Sequence, residues 1–471
     1  MARIYLAFAG IMLYLCAFSS CKKSPEQALT GWELADSIVN SMSVPIFPEQ
    51  EINILDLGAV SDGVTDCTSL IQTAIDSCSR LGGGQVVVPE GVFLCGALKL
   101  KSNVNLHLET GSVLRFSTDR SAYLPLVQTR FEGMECMNYS PFIYACEQEN
   151  IAITGSGTLD GQGADWWAWK GKWGGEGDFD TGWKEGDRCQ KEAVGILKKM
   201  VDDTVSVEKR IFGEGFLLRP NFIQPYKCRN VLISGIRIIE SPMWVIHPVL
   251  SENVFVKGVR IESLGPNNDG CNPECCNYVL IEDCYFNTGD DCIAIKSGRN
   301  NDGRNMGVAS ENILIRNCTM AEGHGGVVIG SEMSGNVRYV FAENCVMDSP
   351  HLERAIRIKS NSVRGGIVEH VYVRNIQVKQ VREAMLKINM FYAGETGDWI
   401  PQVSDVYIKN VTGMKSDYAV WIKAYNDYPV KNLYIMDCDF SDVKYGNFVE
   451  SVENVRLENL VINGAKVEVL Q

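Results

Sequence analysis

Residues 287–298 read NTGDDCIAIKSG and set two carboxylates, Asp290 and Asp291, side by side after a glycine. Like charges this close raise the proton affinity of one partner. A protonated carboxyl among charged ones suits hydrolysis of a glycosidic bond, in which an acid protonates the leaving oxygen and a base activates water. Gly-Asp-Asp alone also describes a solvated turn, so its surroundings decide. HGGVVIGS (324–331) aligns with DDCIAIKS (290–297) without a gap, RAIRIKS (354–360) ends in the same pattern, and NDGCN (268–272) precedes them. In this register Asp269 lies against Asp291, His324 against Asp290, Arg357 two rows from Ala294 and Lys359 two rows from Lys296. Such cations can hold a substrate carboxylate, Arg357 in bidentate fashion. With Ile293 and Ile295 inward, alternation sends Asp290, Cys292, Ala294 and Lys296 outward, in phase with His324, Arg357 and Lys359. Asp269 and Asp291 have the wrong parity and need a break in the pleat, which the nearby glycines can supply.

Rows in register require an element that returns to the same place. One hexapeptide pattern does so: apolar, any, apolar, any, Gly/Asn/Asp, then apolar or Cys. It recurs as VLISGI (231–236), VFVKGV (254–259), VLIEDC (279–284), ILIRNC (313–318), VFAENC (340–345), VYVRNI (371–376), VYIKNV (406–411), LYIMDC (433–438) and VRLENL (455–460). Weaker relatives stand at 104–109 and 151–156. Successive starts in the main series lie 22 to 35 residues apart. The minimum reads as one solenoid coil, with loops inserted where the interval is longer. Short period-two strands broken by turn formers indicate an all-β parallel β-helix, whose neighbouring coils share one core. Strands about 4.8 Å apart bring acids from successive coils onto one patch. Cys284, Cys318, Cys345 and Cys438 share the sixth position and predict an internal ladder of small apolar side chains.

An open coil end needs a cap. The stretch 62–83 supplies one: Leu70, Ile71, Ala74, Ile75 and Cys78 follow helical spacing, Asp66 or Thr68 can start the helix and Gly82 can stop it. The longest interruption, 164–216, carries Trp166, Trp167, Trp169, Trp173 and Trp183. It reads either as a packed loop or as an aromatic wall of a sugar cleft.

The chain has 471 residues, 45% hydrophobic, and a net charge of −14, which argues against nucleic acid as a partner. Arg3 followed by an apolar run and Cys21 resembles a bacterial lipoprotein signal, with 1–21 removed or lipidated at Cys21 and 22–49 as linker and N-terminal segment. That predicts export, with a lipid anchor at the outer membrane or periplasm of a Gram-negative cell as the sole membrane contact, or alternatively a periplasmic or secreted protein. Setting aside Cys16 and Cys21 leaves an odd 15 of the 17 cysteines, so complete disulfide pairing within a monomer is impossible. Cys271, Cys275 and Cys276 match no standard zinc spacing, which favours burial or pairing over a metal site.

Four ordered motifs, Asn267-x-Asp269-Gly270, Gly289-Asp290-Asp291, Gly323-His324-Gly325 and Arg357-Ile358-Lys359, resemble glycoside hydrolase family 28, the polygalacturonase family. DLGAVSDGVTDCTSLIQTAI (56–75) and GSGTLDGQGADWW (155–167) are similar to it as well, so the resemblance covers most of the chain from residue 50 to 471. It implies a right-handed single-stranded parallel β-helix and hydrolysis of α-1,4-linked galacturonate in pectin with inversion, without metal or organic cofactor. Asp290 would be the general acid, Asp269 and Asp291 would activate water, and His324 would tune the acid. Arg357 and Lys359 would bind the substrate carboxylate; Asn267 and Lys296 complete the substrate-binding candidates. The sequence departs at Asn268, where the family usually has Thr or Pro, and at Asn272, where it usually has Asp. SPMWVIHPVLSENV (241–254) and RPNFIQPY (219–226) resemble the bacterial exo-acting branch. Rhamnogalacturonan hydrolysis, lyase-type elimination and non-catalytic glycan binding are the alternatives.

Overall fold

The computed structural model describes residues 31–172 and 179–470. The signal-like segment with Cys16 and Cys21, and Trp173, lie outside the described residues.

The chain winds into a parallel β-helix, and the hexapeptide pattern supplies one of its faces. Val231, Val254, Val279, Ile313, Val340, Val371, Val406, Leu433 and Val455 pair in turn, so the first letter of every repeat stands in one row. Ile151 joins that row ahead of Val231. The winding is right-handed, as crossovers between parallel strands are.

A second face, made of Ile293–Ile295, Val327–Gly330, Arg354–Lys359, Ala384–Asn389, Tyr418–Lys423 and Asn447–Glu450, carries candidate residues Arg357 and Lys359. It continues toward the N-terminus through single bridges at Cys271 and Ile246 to Ile223–Tyr226 and Ile143–Cys146.

Alternate side chains of both faces fill the interior, among them the fully buried Ile281, Ile295 and Ile358. Each such side chain contributes about 1.5–3 kcal/mol relative to exposure. The turn that ends each hexapeptide strand is made by the fifth repeat residue in the left-handed conformation, as at Asn317 (φ 56°), Asn344 (54°), Asn375 (54°) and Asn410 (51°). Asn tolerates that region better than most residues, and the side chains here also pair along the coils. Asn375 donates to Asn344 at 3.1 Å and Asn410 to Asn375 at 2.7 Å.

All 15 cysteines of the described residues are free thiols. Cys284, Cys318, Cys345 and Cys438 are buried, as a ladder requires. Contact with Cys284 and Cys345, together with burial, holds the Cys318 thiol well above its ordinary pKa.

The expected front cap is the helix Thr68–Arg80, burying Ile71, Ala74, Ile75 and Cys78. Asp66 accepts from the Thr68 backbone N–H at 2.8 Å, although Cys67 holds the cap position. An antiparallel pairing of Val452–Ile462 with Ala465–Val467 finishes the other end.

Part of segment 22–49 is helical. Its residues Gly31–Ser41 form a helix that buries Ala35 and Ile38 against outward-facing Phe255, Leu280, Leu314, Phe341, Tyr372 and Tyr407. The insertion at 164–216 likewise contains a helix, Lys191–Asp202.

Candidate active site

The turn that enters strand Ile293–Ile295 breaks the alternation where the sequence requires it. Cys292 joins Ile293 and Ile295 in the core, which corrects its expected outward position. Two consecutive inward residues free Asp291 to face outward beside Asp290. The glycines allow this crowding: a Cβ on Gly325 would lie 3.2 Å from Asp291 Oδ1 and 2.5 Å from Val328.

Asp269, Asp290 and Asp291 are buried, and oxygens from all three lie within 4.8 Å of one another. Uncompensated, three buried carboxylates would be costly. Lys359 Nζ donates to Asp291 Oδ2 at 2.6 Å and Arg357 to Oδ1 at 3.2 Å. Lys296 stands 3.4 Å from Asp269 and 3.1 Å from Glu332, with its ammonium 4.5 Å from the Trp244 ring centre. His324 Nδ1 meets Asp290 Oδ1 at 3.1 Å. With these cations already aimed at the acids, the cluster is poorly suited to a further cation.

The two departures from the family pattern have local roles. Asn272 donates its amide to Asp269 Oδ2 at 3.0 Å, which an Asp could do only when protonated. Asn268 is buried and organises its own turn, accepting from Ser263 at 2.6 Å and donating to Met243 O at 3.2 Å.

The acids do not titrate alike. Burial raises the pKa of Asp269 well above the usual range, the charges of Asp290 and Asp291 raise it further, and Lys296 opposes them. Burial pushes Asp290 the same way but is outweighed by His324, Lys359 and Lys296, so Asp290 falls far below the usual range. His324 rises: burial opposes its charge, and the Asp290 carboxylate more than offsets that. The expectation that neighbouring acids lift one another therefore holds for Asp269 and not for Asp290.

All eight candidates, Asn267, Asp269, Asp290, Asp291, Lys296, His324, Arg357 and Lys359, line one cleft of about 500 Å³. Asn267 is held by Arg219, which donates to its Oδ1 at 2.7 Å and to the carbonyls of Pro242 and Pro266. Of the tryptophans in the insertion, Trp166 and Trp169 pack into the core region, and Trp167 donates to Ser241 O at 2.8 Å. None of the four within the described residues lines the cleft; the insertion contributes Lys170 instead.

Sequence reasoning missed Glu332, Tyr392 and Trp244 in the lining, though Trp244 lies within the SPMWVIHPVL stretch. It also missed the hairpin Val127–Phe131 and Met134–Asn138 that covers the N-terminal side of this face. Arg130 of the hairpin binds the buried Glu274 at 2.7 Å, Glu274 meets His247 at 2.7 Å, and Thr129 donates to Gln224 at 2.6 Å. At the hairpin tip Glu132 pairs with Arg299 at 2.7 Å and Lys170 at 4.0 Å.

Comparison with known proteins bears on this geometry. The family model of glycosyl hydrolases family 28 matches residues 215–464, more than half of the chain and the whole of the acid cluster. The chain belongs to glycosyl hydrolases family 28. A shorter match to the rhamnogalacturonase A/epimerase, pectate lyase-like family covers 51–111, the region of the cap helix.

A probable polygalacturonase of Vitis vinifera is 32% identical over 70% of this chain. An exo-poly-alpha-D-galacturonosidase of Dickeya chrysanthemi is 28% identical over 77% of it. The chain spans 61% and 62% of the lengths of those two proteins. The hyperthermoactive exopolygalacturonase of Thermotoga maritima shares 47% identity and a TM-score of 0.89, with 93% of this chain and 97% of that one covered. The polygalacturonase of Erwinia carotovora, 23% identical with a TM-score of 0.63 over 88% of this chain and 99% of that one, shares the fold.

Proposed function

We propose that this chain hydrolyses α-1,4-linked galacturonate in pectin and removes units from a chain end. The observation that carries the reading is the buried acid cluster of Asp269, Asp290 and Asp291 beside Arg357 and Lys359, in a cleft covered on one side. Asp290 is the general acid, Asp269 and Asp291 hold and deprotonate water, and Arg357 and Lys359 bind the carboxylate of the sugar on the leaving side.

Without substrate, Asp269 holds a proton more tightly than Asp290, because the cations nearby favour Asp290 as the anion. A substrate carboxylate arriving at Arg357 and Lys359 offsets part of that positive field. The proton affinity of Asp290 then rises next to the leaving oxygen, and Asp269 is left charged to accept a proton from water. The hairpin tip at Glu132 and Gly133 limits the sugars that fit on the upstream side. This favours the non-reducing end of a chain, with the remainder leaving past Arg357.

Incubation with polygalacturonate and with rhamnogalacturonan, followed by product sizing, tests the reading. Monogalacturonate from the first time point is expected, and Asp290→Asn should lower kcat about 10²–10⁴-fold. A ladder of oligomers would contradict end-wise action. Products from rhamnogalacturonan alone would contradict the substrate.

The N-terminal sequence supports export with a lipid on Cys21. Membrane fractionation of wild type and Cys21→Ser checks this, with release of the variant expected.

A further inference from the structure

The face that carries the acids is asymmetric about them. Upstream it is covered by the hairpin Val127–Asn138. Downstream it continues through three more strands whose outward side chains form a row. Arg357 pairs in register with Lys387, Lys387 with Trp421 and Trp421 with Phe448. Their neighbours Leu386, Ile388, Val420 and Ile422 lie in the core, which fixes the row on the outer surface.

The row is ordered. Lys387 is held by Glu383, which also binds Arg354, and its ammonium lies 4.4 Å from the Trp421 ring centre. Trp421 and Phe448 stack at 5.0 Å with an interplanar angle of 24° and keep part of their surface exposed.

We propose that Lys387, Trp421 and Phe448 form a binding platform for the uronan units that follow the sugar held by Arg357 and Lys359. This rests on the galacturonan reading above and extends it to the substrate's length and direction. Coils rise by about 4.8 Å each, close to the length of one pyranose ring in a polysaccharide, so each coil can meet one sugar. Trp421 is held between the Lys387 ammonium and the Phe448 ring, so the exposed edges of the two stacked rings meet the apolar surface of a sugar and the ammonium beside them meets its carboxylate. The platform is continuous with the catalytic cleft through Arg357, and its one cation, Lys387, is opposite in sign to the polymer. Since the upstream side is covered, the polymer beyond the scissile bond has this face as its path.

The test is kcat/KM on di-, tri- and tetragalacturonate for wild type, Trp421→Ala and Trp421→Phe. In Trp421→Ala the ratio of tetramer to dimer efficiency is expected to fall about tenfold, and Trp421→Phe is expected to restore most of it. A ratio within twofold of wild type in Trp421→Ala would overturn the platform, whether the variant is fully active or uniformly weakened. A folded wild type inactive on all three lengths would instead overturn the galacturonan reading, and the platform with it.

Discussion

At the reacting oxygens, burial and charge pull the carboxylates in opposite directions. The native pKa of Asp269 lies above its unfolded value of about 3.9, so between those values the folded protein holds a proton that the unfolded chain has released. The stability this contributes is complete below pH about 4 and is lost as pH rises through the native value. Asp290 behaves in the opposite sense: its lowered pKa stabilises above pH about 4, and that contribution is lost on acidification. Asp269→Asn mimics the protonated acid at every pH. Its melting temperature relative to wild type should therefore climb as pH rises above about 4. A difference that stays flat or shrinks would show that Asp269 is ionised in the substrate-free protein. The identities of the acids and cations were readable because residue type and spacing fix the register. Their proton affinities were not, since these depend on Lys296 and His324 approaching from neighbouring coils at distances that no spacing reveals.

At the level of the coil, the fifth repeat residue matters through its backbone. Asn375 sits at φ 54° and is a partner of both Asn344 and Asn410. Asn375→Gly keeps the left-handed turn and loses the side-chain pairs. Asn375→Val loses the pairs and adds the strain of a β-branched residue at positive φ, about 1–3 kcal/mol. Thermal unfolding should rank wild type above the Gly variant and Gly above Val, with kcat little changed. A Val variant as stable as the Gly variant would show that the side-chain ladder, and not the turn, governs this site. Repeats of this kind are legible because turn residue and apolar letters recur together. The helix Gly31–Ser41 was less legible: its partners, Phe341 and Tyr372 among them, stand on the outer face of strands whose inner face already explains the pattern.

Across the whole molecule, the proposed end-wise action follows from what covers the solenoid. The coils by themselves make an open face. The contact between Arg130 and Glu274 spans 144 residues, and with it the hairpin closes one side. Nothing in the order of residues says over which face an inserted hairpin will fold, so the covered end was not readable, although the acid cluster beside it was. The carboxylate oxygens approach within 4.8 Å, closer than the separation of about 6.5–9.5 Å by which two-carboxylate inverting enzymes accommodate water. Here two acids, Asp269 and Asp291, can hold the water together at the edge of the cluster, so it need not lie between acid and base. The stereochemistry of the product therefore tests the account most directly. Proton NMR of polygalacturonate digestion, read within the first minutes, should show saturated β-galacturonate before mutarotation populates the α anomer. Initial α-galacturonate, or an unsaturated sugar, would contradict water-activated hydrolysis at these three acids.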